Sequence, residues 1–186
     1  MLQLTLGCKP FGAFRIKVFH THRHAMTAED LRAKLIRNID SVPLAGYERA
    51  PLYASRTGDV TARDGRQLGA SLDVVPPGKR SCPYHFHWGE EEMFVILAGE
   101  ATLRVADELL PVKTGDVISI PAGPDYPHQL INTGSSDLKV LSISTQQRPE
   151  ICEYPDSGKL AAFPGPRGES LIQRHSESLD YWSGEP

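Results

Sequence analysis

The sequence predicts an all-β domain, a sandwich or barrel, and three observations carry that expectation. From Leu68 to about Tyr154, short β-rich runs ("LGASLDVV", "MFVILAGE", "ATLRVA", "ELLPV", "DVISIPAG", "HQLIN", "LKVLSIS", "ICEYP") follow one another at close spacing. Gly, Pro and Asp punctuate them, as turns between strands require. No helix-length 3.6-residue pattern interrupts the series.

The flanks read differently. Residues 1–26 show little periodicity and include "HTHRH" (His20, His22, His24). They are expected to form a poorly ordered tail, with Met26 a candidate start, because histidines without a scaffold hold an ion poorly. In "TAEDLRAKLIRNI", Thr27 can cap, acidic residues fill the first turn, and Leu31, Leu35 and Ile36 share a face. This predicts a short helix over about residues 28–37. Residues 40–67, rich in Pro and Gly, read as an extended arm, so 27–67 is expected to pack on the barrel or a partner. The barrel is placed at 68–155, with 156–186 a tail docked on its surface through Tyr181 and Trp182.

Bulk properties narrow the function classes. At 186 residues the chain fits one domain with extensions, and its net charge of −3 is mild. No basic stripe points to nucleic acid, and a lone helix is not a helix-turn-helix. No apolar run reaches the roughly 20 residues of a membrane span. The N-terminus lacks the layout of a signal peptide. The three cysteines, Cys8, Cys82 and Cys152, are odd in number and without a C-x-x-C pair. They suit a reducing, cytoplasmic compartment. Cys82 is expected to be a small buried hydrophobe.

The chemistry concentrates in "YHFHWGEEEMFVILAGE", residues 84–100. On a strand, His85 and His87 point to one face and Phe86 and Trp88 to the other. A turn through Gly89 reverses the chain into a second strand near Glu92, along which Glu92, Phe94 and Ile96 share a face. If Glu92 faces the histidines, two imidazoles and a carboxylate converge, a donor set suited to a divalent first-row metal. His128, on a strand face with Leu130 and Asn132, is a fourth candidate ligand. Glu90 and Glu91 read as solvated loop carboxylates, Glu91 replacing Glu92 if the turn is one residue shorter. Asn132 reads as a hydrogen bonder at a strand end. Tyr84, Tyr126 and Phe94 read equally as pocket lining or core.

These residues resemble the two motifs of the cupin superfamily. The first, G-x5–6-H-x-H-x3–4-E-x6-G, is met by Gly78, His85, His87, Glu92 and Gly99. The second, G-x5-P-x-G-x2-H-x3-N, is met by Gly115, Pro121, Gly123, His128 and Asn132, with four residues instead of two between Gly123 and His128. The resemblance spans roughly residues 68–146. "PPGKRSCPYHFHWGEEE" and "YPDSGK" are similar to stretches of small bacterial single-domain cupins. The resemblance implies a jelly-roll barrel (a double-stranded β-helix) and one divalent transition metal (Fe, Mn, Zn or Ni) held by His85, His87, Glu92 and His128. It implies no one reaction and no catalytic residue. A dioxygenase, isomerase or decarboxylase type of enzyme on a small organic molecule and a non-catalytic ligand-binding or sensor protein both stay open. Both faces of "MFVILA" are apolar, so its outer face, with Met93, Val95, Leu97 and nearby Phe86 and Trp88, needs a cover. That predicts a homodimer.

Overall fold

Thr27 opens the helix that the sequence predicts. Its hydroxyl accepts from the Asp30 amide at 3.1 Å, and the Asp30 carboxylate accepts from the Thr27 amide at 2.9 Å. This reciprocal cap starts α1, Ala28–Leu35, two residues shorter at its end than expected. The structure is a computed structural model that describes residues 26–49, 51–61, 67–165 and 170–186. The expectations for residues 1–25, "HTHRH" included, lie outside those residues. The chain divides into two units, Met1–Ile36, which carries α1, and Arg37–Pro186.

The second unit is built from antiparallel strands: β1 Ala45–Arg49, β2 Tyr53–Asp59, β3 Leu68–Val75, β4 Phe86–His87, β5 Glu92–Ala98, β6 Glu100–Val105 and β7 Glu108–Lys113. The series continues with β8 Val117–Ile120, β9 His128–Ile131, β10 Leu138–Thr145, β11 Glu150–Tyr154, β12 Lys159–Phe163 and β13 Leu171–Arg174. They form sheets in the orders β1-β2-β3-β10-β5-β8, β13-β12-β11-β4 and β7-β6-β9. This is the predicted all-β architecture, a jelly-roll barrel. Among the described residues, no helix is long and apolar enough to cross a membrane.

Alternation along the strands explains the core. On β5, Phe94 and Ile96 are buried while Met93 is exposed. Their face meets Val75, Leu138 and Val140 of the same sheet and Ala101, Leu103 and Leu130 of the three-stranded sheet. Gly99 makes the tight β5–β6 turn at φ +91, and a Cβ there would lie 2.9 Å from the Asp137 carbonyl oxygen. That position requires glycine.

Two stretches differ from the sequence reading. Residues 40–67 are not simply a loop-rich arm, because β2 pairs with β3 and β1 with β2, extending the large sheet. The buried residues of β2 are Ala54 and Ser55, adjacent and small, and they produce no apolar period. Past residue 155, β12 and β13 continue the β11 sheet. The described tail beyond them, with Tyr181 and Trp182, is exposed.

Asn132 is the polar keystone of this packing. Fully buried, it donates to the carbonyls of Val75 (2.7 Å) and Ser136 (2.9 Å) and accepts from the Gly134 amide (3.0 Å). Asn132→Ala leaves those backbone groups without a partner. It is expected to lower stability by about 2–4 kcal/mol, measured by urea unfolding.

Candidate metal centre

Two backbone bonds bring the predicted residues together. His85 and His128 exchange N–H···O=C bonds of 3.1 and 2.7 Å, joining the start of β4 to the start of β9. Beyond them β4 pairs with β11, and the His87 carbonyl accepts from the Gly123 amide at 2.7 Å. The "PDYP" insertion therefore closes against β4 without displacing His128.

Side chains converge from three strands. Glu92 Oε2 lies 2.8 Å from His128 Nε2, 3.7 Å from His85 Nε2 and 3.7 Å from His87 Nε2. His85 Nδ1 is 2.8 Å from the Pro83 carbonyl oxygen and His128 Nδ1 is 3.1 Å from that of Tyr126. A carbonyl only accepts, so each of these nitrogens carries the proton; with the rings neutral each Nε2 turns a lone pair toward Glu92, and a proton on His128 Nε2 instead makes the 2.8 Å contact a hydrogen bond. Lone pairs and a carboxylate oxygen facing one another at these distances repel unless a proton or a cation stands between them. Two donors about 2.1 Å from one ion sit about 3.0–3.5 Å apart at 90–109°, close to the separations seen. The donor set therefore fits a divalent first-row ion. His85, Glu92 and His128 offer ligand atoms within 4.8 Å of one another, as do His85, His87 and Cys152.

Burial tunes the titrating groups. It pushes the Glu92 carboxyl up, but the His128 hydrogen bond and the neighbouring imidazoles outweigh it and leave the group below its ordinary value. For His87, burial lowers the imidazole from 6.5 to about 4; Glu92 opposes the shift, while His85, His128 and Arg148 add to it. At neutral pH its ring is a neutral donor.

Residues outside the motifs complete the surroundings. Glu90 is not a solvated loop carboxylate: it is buried and ion-paired with Arg148. Glu91 stays exposed. On β11, Glu150, Cys152 and Tyr154 alternate onto the face that meets β4, with Cys152 opposite His87. Burial pushes the Cys152 thiol up to about 12, and the Tyr154 ring lies 6.2 Å from that of His85. The period-two pattern "E-x-C-x-Y" was the sequence signal for this face. Cys82 is half-buried, its Sγ 3.9 Å from His85 Nδ1. Tyr84 is buried under Arg104 and its hydroxyl accepts from the Asp107 amide, so it locks the β6–β7 hairpin. Tyr126 is exposed and Phe94 belongs to the core. A cleft of about 240 Å³ opens beside the centre, lined by His87, Glu90, Glu92, Ser142, Arg148 and Glu150 among others.

The His87 shift fixes a pH dependence. Between 6.5 and about 4 the unfolded chain takes up a proton that the folded chain refuses, so folding weakens as pH falls through this window. In metal-stripped protein the loss attributable to His87 is expected to total about 3 kcal/mol. The Glu92 contribution is lost lower, below 4.5. Urea titrations across this range, native against His87→Gln, should show a flatter profile for the variant.

Comparison with known proteins bears on the identity of this fold. Residues 71–144 match the family described as Cupin domain. The uncharacterized protein MJ1618 of Methanocaldococcus jannaschii is 38% identical over 116 residues, 59% of this chain and 83% of that protein. The oxalate-binding protein of Thermotoga maritima is 38% identical over 69 residues, 37% of this chain and 54% of that protein. A crystal structure of a putative sugar phosphate isomerase from Acidithiobacillus ferrooxidans superposes with a TM-score of 0.69 at 24% identity, covering 80% of this chain and 97% of that one. A predicted oxalate decarboxylase from Thermotoga maritima gives 0.55 at 22% identity, covering 61% and 100%. With the barrel, both histidine motifs and a relative matched over most of its own length, the chain belongs to the cupin superfamily.

Proposed function

We propose that this cupin holds one divalent transition metal through His85, His87, Glu92 and His128 and uses it on a small polar organic molecule. One observation carries the reading: imidazole nitrogens and a carboxylate oxygen from β4, β5 and β9 converge beside an open, polar cleft. Bound there, the ion would supply Lewis-acid or redox chemistry to a ligand entering from that cleft. Isomerase, decarboxylase and dioxygenase types of reaction suit such a centre. The chain's own residues hold and orient. The carbonyls of Pro83 and Tyr126 fix two rings, and Arg148 and Ser142 line the space a ligand would fill.

A second reading, a non-catalytic ligand-binding protein, draws on a specific feature. The two further carboxylates nearest His87 are already engaged, Glu90 by Arg148 and Glu150 by the Gly89 amide. Neither reaches into the cleft as an unpaired acid or base. Turnover separates the two readings: substrate-dependent oxygen consumption or product formation supports the enzyme, saturable binding without either supports the sensor.

Elemental analysis of natively purified protein tests the centre itself. About one equivalent of a first-row metal per chain is expected, lost in His85→Ala. Equal, sub-stoichiometric metal in both proteins overturns the assignment.

The pairing of two chains belongs to the same proposal. Met93 on β5, Val117 on β8 and Leu68 on β3 are exposed on the large sheet. Phe86 needs no outside cover, being buried within its own chain, and Trp88 is half exposed with its ring N–H on Glu153 Oε1 at 2.7 Å. A homodimer covering Met93 and its neighbours is expected in light scattering at micromolar concentration, and Met93→Lys should shift it to monomer. A native monomer contradicts it.

A further inference from the structure

The three histidines are not held alike. His85 and His128 each place Nδ1 on the carbonyl two residues earlier. His87 Nδ1 is buried with no hydrogen-bond partner. It lies 3.4 Å from Glu150 Oε1 and 3.8 Å from Glu90 Oε2, outside bonding geometry for both. A ring that must present Nε2 to an ion needs its other nitrogen fixed, and a carboxylate there also raises the ring's donor strength.

Of the two carboxylates, only Glu150 is available for this task. Glu90 is committed to Arg148. The Glu150 side chain is 1% exposed. Its Oε2 accepts from the Gly89 amide at 3.1 Å, and Oε1 faces the His87 ring. Gly89 makes room for it, since a Cβ there would stand 2.8 Å from Oε2. The β4–β11 register, with Cys152 opposite His87, sets Glu150 level with Gly89 and beside the ring. Against the burial of Glu150, backbone amides of Gly89, Trp88 and Ile151 and the nearby Arg148 charge favour its ionised form, and Oε1 still faces a ring nitrogen that has no other partner. An imidazole polarised by an ion on its far nitrogen is a partner for that oxygen.

We infer that Glu150 is a positioning residue of the metal centre: its carboxylate takes the His87 Nδ1–H and aims Nε2 at the ion, a part played for the other two rings by backbone carbonyls. This rests on the metal-binding reading above.

Cobalt(II) is the probe that tests it. In the loaded native protein, three exchangeable, hyperfine-shifted ring N–H signals are expected in proton NMR, one per histidine. Glu150→Gln should weaken cobalt binding roughly 10–100-fold and displace or erase one of the three signals while leaving two in place. Gly89→Ala, which pushes the carboxylate aside without altering it, should move the same signal. A merely structural role would shift all three signals together. Unchanged affinity and an unchanged third signal in both variants overturn the role of Glu150 while the centre stands. Failure of the native protein to bind cobalt overturns the metal reading and this inference with it.

Discussion

The centre depends on one pair of backbone bonds, those between His85 and His128. They sit where the β13-β12-β11-β4 sheet meets the β7-β6-β9 sheet, and they close the barrel at that seam. Because strand side chains alternate, fixing the two backbones in register also fixes both rings on the inner face. Proline then sets the local geometry: Pro83 supplies the carbonyl for His85, and Pro127 precedes His128. Chain closure and donor convergence are one event in this fold.

The sequence carried the barrel and the four donors legibly because both are written in short-range spacing. The H-x-H pair on β4, Glu92 at the start of β5 and the buried Phe94 and Ile96 all follow from a period of two. Partners that meet only across strands escaped it. Glu90 looks like one of three solvated glutamates until Arg148, far along the chain, is seen beside it. Glu150, Cys152 and Tyr154 also read as an unremarkable strand until β11 is paired with β4. β1 and β2 were missed because β1 is exposed throughout and the buried residues of β2 are the small Ala54 and Ser55, leaving no apolar rhythm.

Electrostatics follow from this layering. Loss of solvent lowers His87, and Glu92 stays below its ordinary value because the His128 hydrogen bond and the neighbouring rings outweigh its own burial. The outer carboxylates are held near the cleft by one cation and one amide. Two unlike environments thus stand within a few residues of each other. The β4–β5 turn separates them.

β11 lies between β4 and β12, and β4 is only two residues long. Arg104 also grips Asp156 just past its end, at 2.7 and 3.0 Å. The strands β12 and β13 therefore guard β11. A chain shortened before Lys159 would leave β11 as a bare sheet margin, its unsatisfied amides and carbonyls open to recruitment by another molecule and to aggregation.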